Sequence, residues 1–189
     1  MASKTQLVCL HEGTSGASID PVFINALLRK LKPSWVRQAG GSNLARLRPF
    51  RGRAELIEEM PKQLKACLAM GGHTTLMVWA DCDHDHANGN ELKATFWEKA
   101  EKAGISSAEF EKVVFVFAKD RLENWIEFLA TGTTDESQEG PRVKAGRAAA
   151  DAARKLADHC LSGAPIPSIP PSLEWSCKNW RALTASMRY

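Results

Sequence analysis

The chain has 189 residues, 44% of them apolar and 25% charged, enough to bury a real core and too balanced for a disordered or fibrous protein. No apolar run approaches the roughly 20 residues that span a bilayer. The run at 7–10 meets His11 and Glu12 at once, which excludes an ordinary secretory signal, so a cytoplasmic protein without a membrane segment is expected. The net charge of +3 is uneven: residues 21–54 hold eight basic side chains and no acidic one, leaving 17 basic against 22 acidic elsewhere, and that stretch suits a polyanion.

Residues 6–10 are an apolar run ending in His11-Glu12-Gly13-Thr14-Ser15-Gly16, which predicts a strand followed by a tight turn. Asp20 and Pro21 read as an N-cap and a first helical residue. Val22, Phe23, Ala26, Leu27 and Leu31 then recur at helical spacing up to Pro33. Residues 35–38 predict a second short strand. Gly40-Gly41-Ser42 breaks the chain, and the arginine-rich segment 44–53 reads as a loop leading into a helix over 54–70 that Gly71-Gly72 ends. TTLMVWA at 74–80 has the composition of a strand covered on both faces of a parallel sheet, and it stops at Asp81. The polar stretch 81–90 precedes a helix over 91–103. VVFVF at 113–117 predicts a further buried strand, followed by a helix over 122–130.

Strand and helix alternating four times predict a Rossmann-like α/β layered fold with a largely parallel central sheet, flanked by helices, whose ligand site lies at the carboxyl ends of the strands. Beyond residue 131 come an acidic loop at 135–139, an alanine-rich helix over 143–161 and the proline-rich connector 164–171. A final helix over 172–187 is carried back onto the body, anchored by Trp175 and Trp180. The five cysteines, Cys9, Cys67, Cys82, Cys160 and Cys177, form no CxxC pair, so neither a disulfide framework nor a cysteine zinc site is indicated.

Glu12, Asp81 and Asp83 all sit just beyond the predicted carboxyl ends of apolar strands, where a parallel sheet gathers them. Asp81 and Asp83, two apart in extended chain, can point the same way and share one cation. Carboxylate oxygens are what Mg²⁺ or Mn²⁺ takes, and gathered carboxylates without an ion repel until one is protonated. Alone, the DxD pattern reads as an exposed acidic loop. Counted from Asp81, the sixth and twelfth positions are His86 and Leu92, so a calcium-binding EF-hand fails. His84 and His86 read as solvated loop histidines rather than transition-metal ligands, and His11 as either structural or phosphate-contacting.

An apolar strand ending in Glu12-Gly13, a later one ending in Asp81-Cys82-Asp83, and a helix bearing Glu123-Asn124-Trp125 together resemble the TOPRIM domain. More narrowly, they resemble the small standalone or ATPase-associated TOPRIM proteins related to OLD-family nucleases. The resemblance covers residues 5–130, with a looser echo in 171–187. It implies a TOPRIM-like catalytic domain over 1–130 and a helical C-terminal extension over 131–189. It also implies a Mg²⁺- or Mn²⁺-dependent nuclease that cleaves phosphodiester bonds. Glu12 would then be acid/base or metal ligand, Asp81 and Asp83 metal ligands, Glu123 a supporting or second-metal ligand, and Asp85 a weaker addition. An acidic residue often follows the Glu-Gly by a few positions in this family, but Thr14, Ser15 and Gly16 stand here, which leaves one metal or two. The resemblance further implies a separate protein partner such as an ATPase, because no GK[ST] ending follows Gly13, and a place in antiviral defence or DNA repair.

Under this reading Arg46, Arg48, Arg51, Arg53 and Lys119 bind backbone phosphates, of DNA rather than RNA; otherwise the arginines are a surface loop. Phe50 either stacks on a base or anchors that loop, while Trp79 and Trp125 read as core. The alternative function is a scaffold of TOPRIM-like fold that binds nucleic acid or a protein partner without cutting.

Overall fold

The computed structural model describes residues 6–13, 18–31, 45–71, 74–143 and 146–186. In chain order the elements are β1 (Gln6–Glu12), α1 (Asp20–Leu31), β2 (Ala45–Phe50), α2 (Arg53–Ala69), β3 (Thr74–Cys82), α3 (Gly89–Lys102), the short α4 (Ser107–Phe110), β4 (Val114–Lys119), α5 (Leu122–Thr131), α6 (Gly146–Ser162) and α7 (Pro171–Ser186). The strands form one sheet in the order β2-β1-β3-β4, and every neighbouring pair is parallel. The chain is therefore α/β, with an all-parallel sheet between helical layers. Among the described residues no helix is long and apolar enough to cross a membrane.

The apolar runs of β1, β3 and β4 follow from burial on both faces. Leu7, Cys9, Met77, Trp79, Val114 and Val116 pack with residues of α1, α5, α6 and α7. Val8, Leu10, Leu76, Val78, Phe115 and Phe117 pack with residues of α2 and α3 on the other side. Trp79 centres the first core, with the rings of Phe23, Trp125 and Trp180 set edge-on at 5.8–6.4 Å, so both central tryptophans are core as expected.

The two sheet edges are protected differently. At β4, α7 lies along the open side: the Ser176 hydroxyl accepts from Phe117 N–H at 3.0 Å and donates to Phe117 O at 3.2 Å, and Asn179 Nδ2 donates to Phe115 O at 2.9 Å. Side chains thus occupy backbone groups that a further strand would use. At the other edge stands β2, which corrects the expected loop at 44–53. Only Ala45 of this strand is buried, while Arg46, Arg48 and Pro49 are exposed. Its extended form comes from pairing with β1, from Leu7↔Ala45 to Glu12↔Phe50, and exposed arginines with a proline suit an edge strand. The strand expected at 35–38 and the turn residues Thr14, Ser15 and Gly16 lie outside the described residues.

Between β4 and α6 the chain is clamped at Asn124, which is fully buried. Its Nδ2 donates to Lys119 O at 3.1 Å and Gln138 O at 3.2 Å, joining the end of β4, α5 and the loop that follows. Gly140 closes this clamp so tightly that an added Cβ would sit 2.2 Å from Asn124 Oδ1 and 2.9 Å from its backbone nitrogen. Gly140→Ala is expected to cost about 2 kcal/mol, because neither neighbour can give way. An unchanged urea midpoint would show that the clamp yields.

Candidate functional site

The strand order reverses at β1. The chain leaves β1 through α1 to β2 on one side and returns through α2 to β3 on the other, with α1 and α2 on opposite faces. The carboxyl ends of β1 and β3 therefore border a crevice, the place where open parallel sheets bind ligands. Glu12 ends β1, and Asp81 lies within β3, which runs to Cys82, two residues past its expected end. Glu12 Oε1 accepts a hydrogen bond from the Asp81 backbone N–H at 2.9 Å, tying the carboxylate across the two strands. Gly13 follows at φ +102° and donates its N–H to Phe50 O at 2.9 Å. A Cβ there would lie 2.8 Å from Ser18 Cβ, so the turn after Glu12 requires glycine on both counts.

Negative charge accumulates at this crevice. Burial pushes the Glu12 carboxyl up to about 7, and Asp83 and Asp20 add to the rise against the Asp81 N–H and Arg53. Burial also raises Asp81 well above the usual carboxylate range, with Asp20, Glu12, Asp83 and Glu123 all raising it further. Asp20, at the start of α1, is raised by burial despite a hydrogen bond from the Ser18 hydroxyl, and Glu123, in the first turn of α5, is raised by burial as well. Glu12, Asp20, Asp81, Asp83 and Glu123 thus share one field. Asp20 is the member that sequence reasoning missed, because a cap explained it locally. Its position soon after Glu12, beyond a glycine turn, was the available signal.

Asp83 and Asp85 are held from one side by Arg53, the first residue of α2. Arg53 Nη1 lies 3.1 Å from Asp83 Oδ2 and donates to Asp81 O at 3.1 Å, while Nη2 bonds the two Asp85 oxygens at 2.8 and 2.7 Å. From the other side Lys119 Nζ donates to the backbone of the same loop, to Asp83 O at 3.2 Å and His86 O at 2.6 Å. His86, expected to be solvated, has a side chain only 13% exposed. Its Nε2 is 3.0 Å from Thr95 Oγ1 and its Nδ1 3.2 Å from Asp85 Oδ1, because α3 brings Thr95 beneath the loop. His84 is exposed. His11 is buried, with Nδ1 2.9 Å from Glu12 O, and so is structural.

The remaining basic residues divide by position. Arg46 and Arg48 pair in register with Val8 and Leu10, set back along the sheet edge, and Arg48 Nη1 donates to Gln63 Oε1 at 2.6 Å. Arg51, exposed just after β2, stands nearer the crevice, its backbone N–H on Glu55 Oε2 at 2.7 Å. Phe50 packs against the core on the α2 side, which makes it an anchor.

The donor set fits a hard divalent ion, since its oxygens are carboxylate oxygens whose mutual repulsion such an ion would relieve. Thiol chemistry does not compete, because burial pushes the Cys82 thiol up to about 12. With the side chains as they stand, no group of three Asp, Glu, His or Cys among the described residues is arranged to hold one ion, and Arg53 takes the oxygens of the DxD loop that face it. Compared with protein-family models, curated proteins and solved structures, the chain matches none.

Proposed function

We propose that the chain is a Mg²⁺- or Mn²⁺-dependent nuclease of TOPRIM type that cuts DNA at the crevice between β1 and β3. The observation that carries this reading is the bond from Asp81 N–H to Glu12 Oε1 at 2.9 Å, made where the strand order reverses and inside a field of five carboxyl groups. Glu12, Asp81 and Asp83 would hold the ion, with Glu123 in support and Asp20 as a further acidic neighbour. When bound, the ion supplies positive charge to the scissile phosphate and activates water. Glu12, its carboxyl lifted to about 7, is suited to take or give a proton near neutral pH. Arg51, with Arg46 and Arg48 along the sheet edge, offers charge to DNA backbone phosphates. We place the protein in the cytoplasm beside an ATPase-type partner. A role in defence against phage or in DNA repair follows by analogy with the OLD-related nucleases it resembles.

Purified protein is expected to nick supercoiled plasmid in Mn²⁺ or Mg²⁺ and to stop in chelator. Asp81→Ala should lower the rate by ~10³-fold or more with its circular dichroism spectrum unchanged. Undiminished cutting by that variant, or by wild type in chelator, would sink the reading. One observation favours a non-catalytic scaffold instead: Arg53 already pairs with both Asp83 and Asp85. Under that reading DNA is bound but not cut, and calorimetry with Mn²⁺ shows no heat that Asp83→Ala removes.

A further inference from the structure

We propose that Arg53 is an internal counter-ion of the acidic loop, one that a divalent ion must displace from Asp83 and that is thereby released toward the phosphate of the substrate. This inference rests on the reading of Asp81 and Asp83 as metal ligands. The geometry behind it is the asymmetry of the two cations that hold the loop. Lys119 grips backbone carbonyls, those of Asp83 and His86, and binding of an ion by the loop carboxylates would leave that grip intact. Arg53, besides the Asp81 carbonyl, grips carboxylates: one oxygen of Asp83 and both of Asp85. Its side chain is 15% exposed, whereas those of Asp83 and Asp85 are 55% and 59% exposed, so an ion from solvent can reach the acids while the guanidinium cannot simply drift into water.

A guanidinium spreads one positive charge over a plane, and a divalent ion concentrates two at a point, so the ion wins the shared carboxylate once it is present at sufficient concentration. Until then Arg53 offsets the repulsion that would otherwise push Asp83 and Asp85 apart. Because the guanidinium forks between Asp83 and Asp85, loss of Asp83 leaves it anchored on Asp85 and on Asp81 O, with one Nη1 hydrogen freed at the rim of the crevice. A cation that blocks the metal in the empty site becomes a phosphate ligand in the loaded one. Metal and arginine are therefore thermodynamically linked, and each must weaken the other's hold on Asp83.

The test uses Mn²⁺ alone, titrated calorimetrically into the full chain. Arg53→Gln is expected to tighten Mn²⁺ binding about tenfold, the usual scale of such coupling. Arg51→Gln, which removes the same charge from an exposed neighbour whose side chain makes no hydrogen bond or ion pair with the loop, should leave affinity within about threefold. Arg53→Lys keeps the charge but loses the fork and should fall between them, which separates displacement from bulk repulsion and guards against a misfolded glutamine variant. If wild type binds Mn²⁺ through Asp83, as judged by loss in Asp83→Ala, and Arg53→Gln binds it no more tightly than Arg51→Gln does, the displacement idea falls while the metal reading stands. If neither wild type nor Arg53→Gln binds Mn²⁺, both fall.

Discussion

Glu12→Gln is expected to yield a protein that is more stable than wild type in chelator at pH 8 and that no longer cuts DNA. The amide keeps an oxygen where Glu12 Oε1 accepts the Asp81 N–H, so the link between β1 and β3 survives. What it removes is a charge that the fold carries at a cost. A carboxyl moved from 4.5 to about 7 by burial and by Asp83 and Asp20 withholds at most about 3 kcal/mol from the ionised native state. Glutamine never ionises, so much of that amount returns as stability. On the proposed reading the same substitution removes a metal oxygen and the proton carrier, which should lower plasmid nicking in Mn²⁺ by ~10³-fold. Opposite signs from a single variant are the mark of a site whose charge is kept for function rather than for folding. Urea unfolding in EDTA and a nicking assay read the two halves. A variant less stable than wild type would mean that Glu12 is a structural group, and one that cuts normally would remove it from the chemistry.

How much of this was legible beforehand follows the range of the signals involved. β1, β3 and β4 are visible because burial on both faces forces continuous apolar runs, and the runs of β1 and β3 end in the acidic residues that the crevice collects. The boundaries shift by one or two residues, enough to move Asp81 from the loop into the strand. β2 is invisible for the converse reason: Arg46, Arg48 and Pro49 face solvent, and only pairing with β1 makes the segment extended. Arg53 belongs to the same arginine-rich stretch and reads as a phosphate ligand, yet its partners Asp83 and Asp85 lie some thirty residues on, and nothing local reports them. Lys119 is similar, since its ammonium holds the acidic loop together before any substrate arrives. Asp20 fails differently: the capping role read from the sequence is a complete local explanation, although Asp20 is the first residue of α1 and its carboxylate accepts from the Ser18 hydroxyl, and only the folded chain reveals its charge acting on Asp81. Acidic residues at strand ends are therefore predictable, and the counter-charges that position them are not.

The pH profile of stability carries the same charge argument to the whole site. Glu12, Asp20, Asp81 and Glu123 are all raised above their ordinary values, burial being the main cause for each, so the native state holds protons that the unfolded chain has already released. Stability rises with pH only where the unfolded state binds more protons; here the native state binds more, so the slope is negative. The contribution of Glu12 is fully present below about pH 4.5, is lost as pH rises to about 7, and changes no further above that, a fall of at most about 3 kcal/mol. Asp81, raised by burial as well, adds to the decline. A divalent ion stabilises the ionised form, so saturating Mn²⁺ should flatten the profile, and Mn²⁺ affinity should climb with pH through the window in which chelated protein loses stability. Urea midpoints from pH 5 to 8, in EDTA and in Mn²⁺, measure both effects, and Glu12→Gln should make the EDTA curve shallower. Stability that rises from pH 5 to 7 in EDTA would mean that these carboxyls are paired with positive charge after all, and the crevice would then hold no surplus for a metal to neutralise.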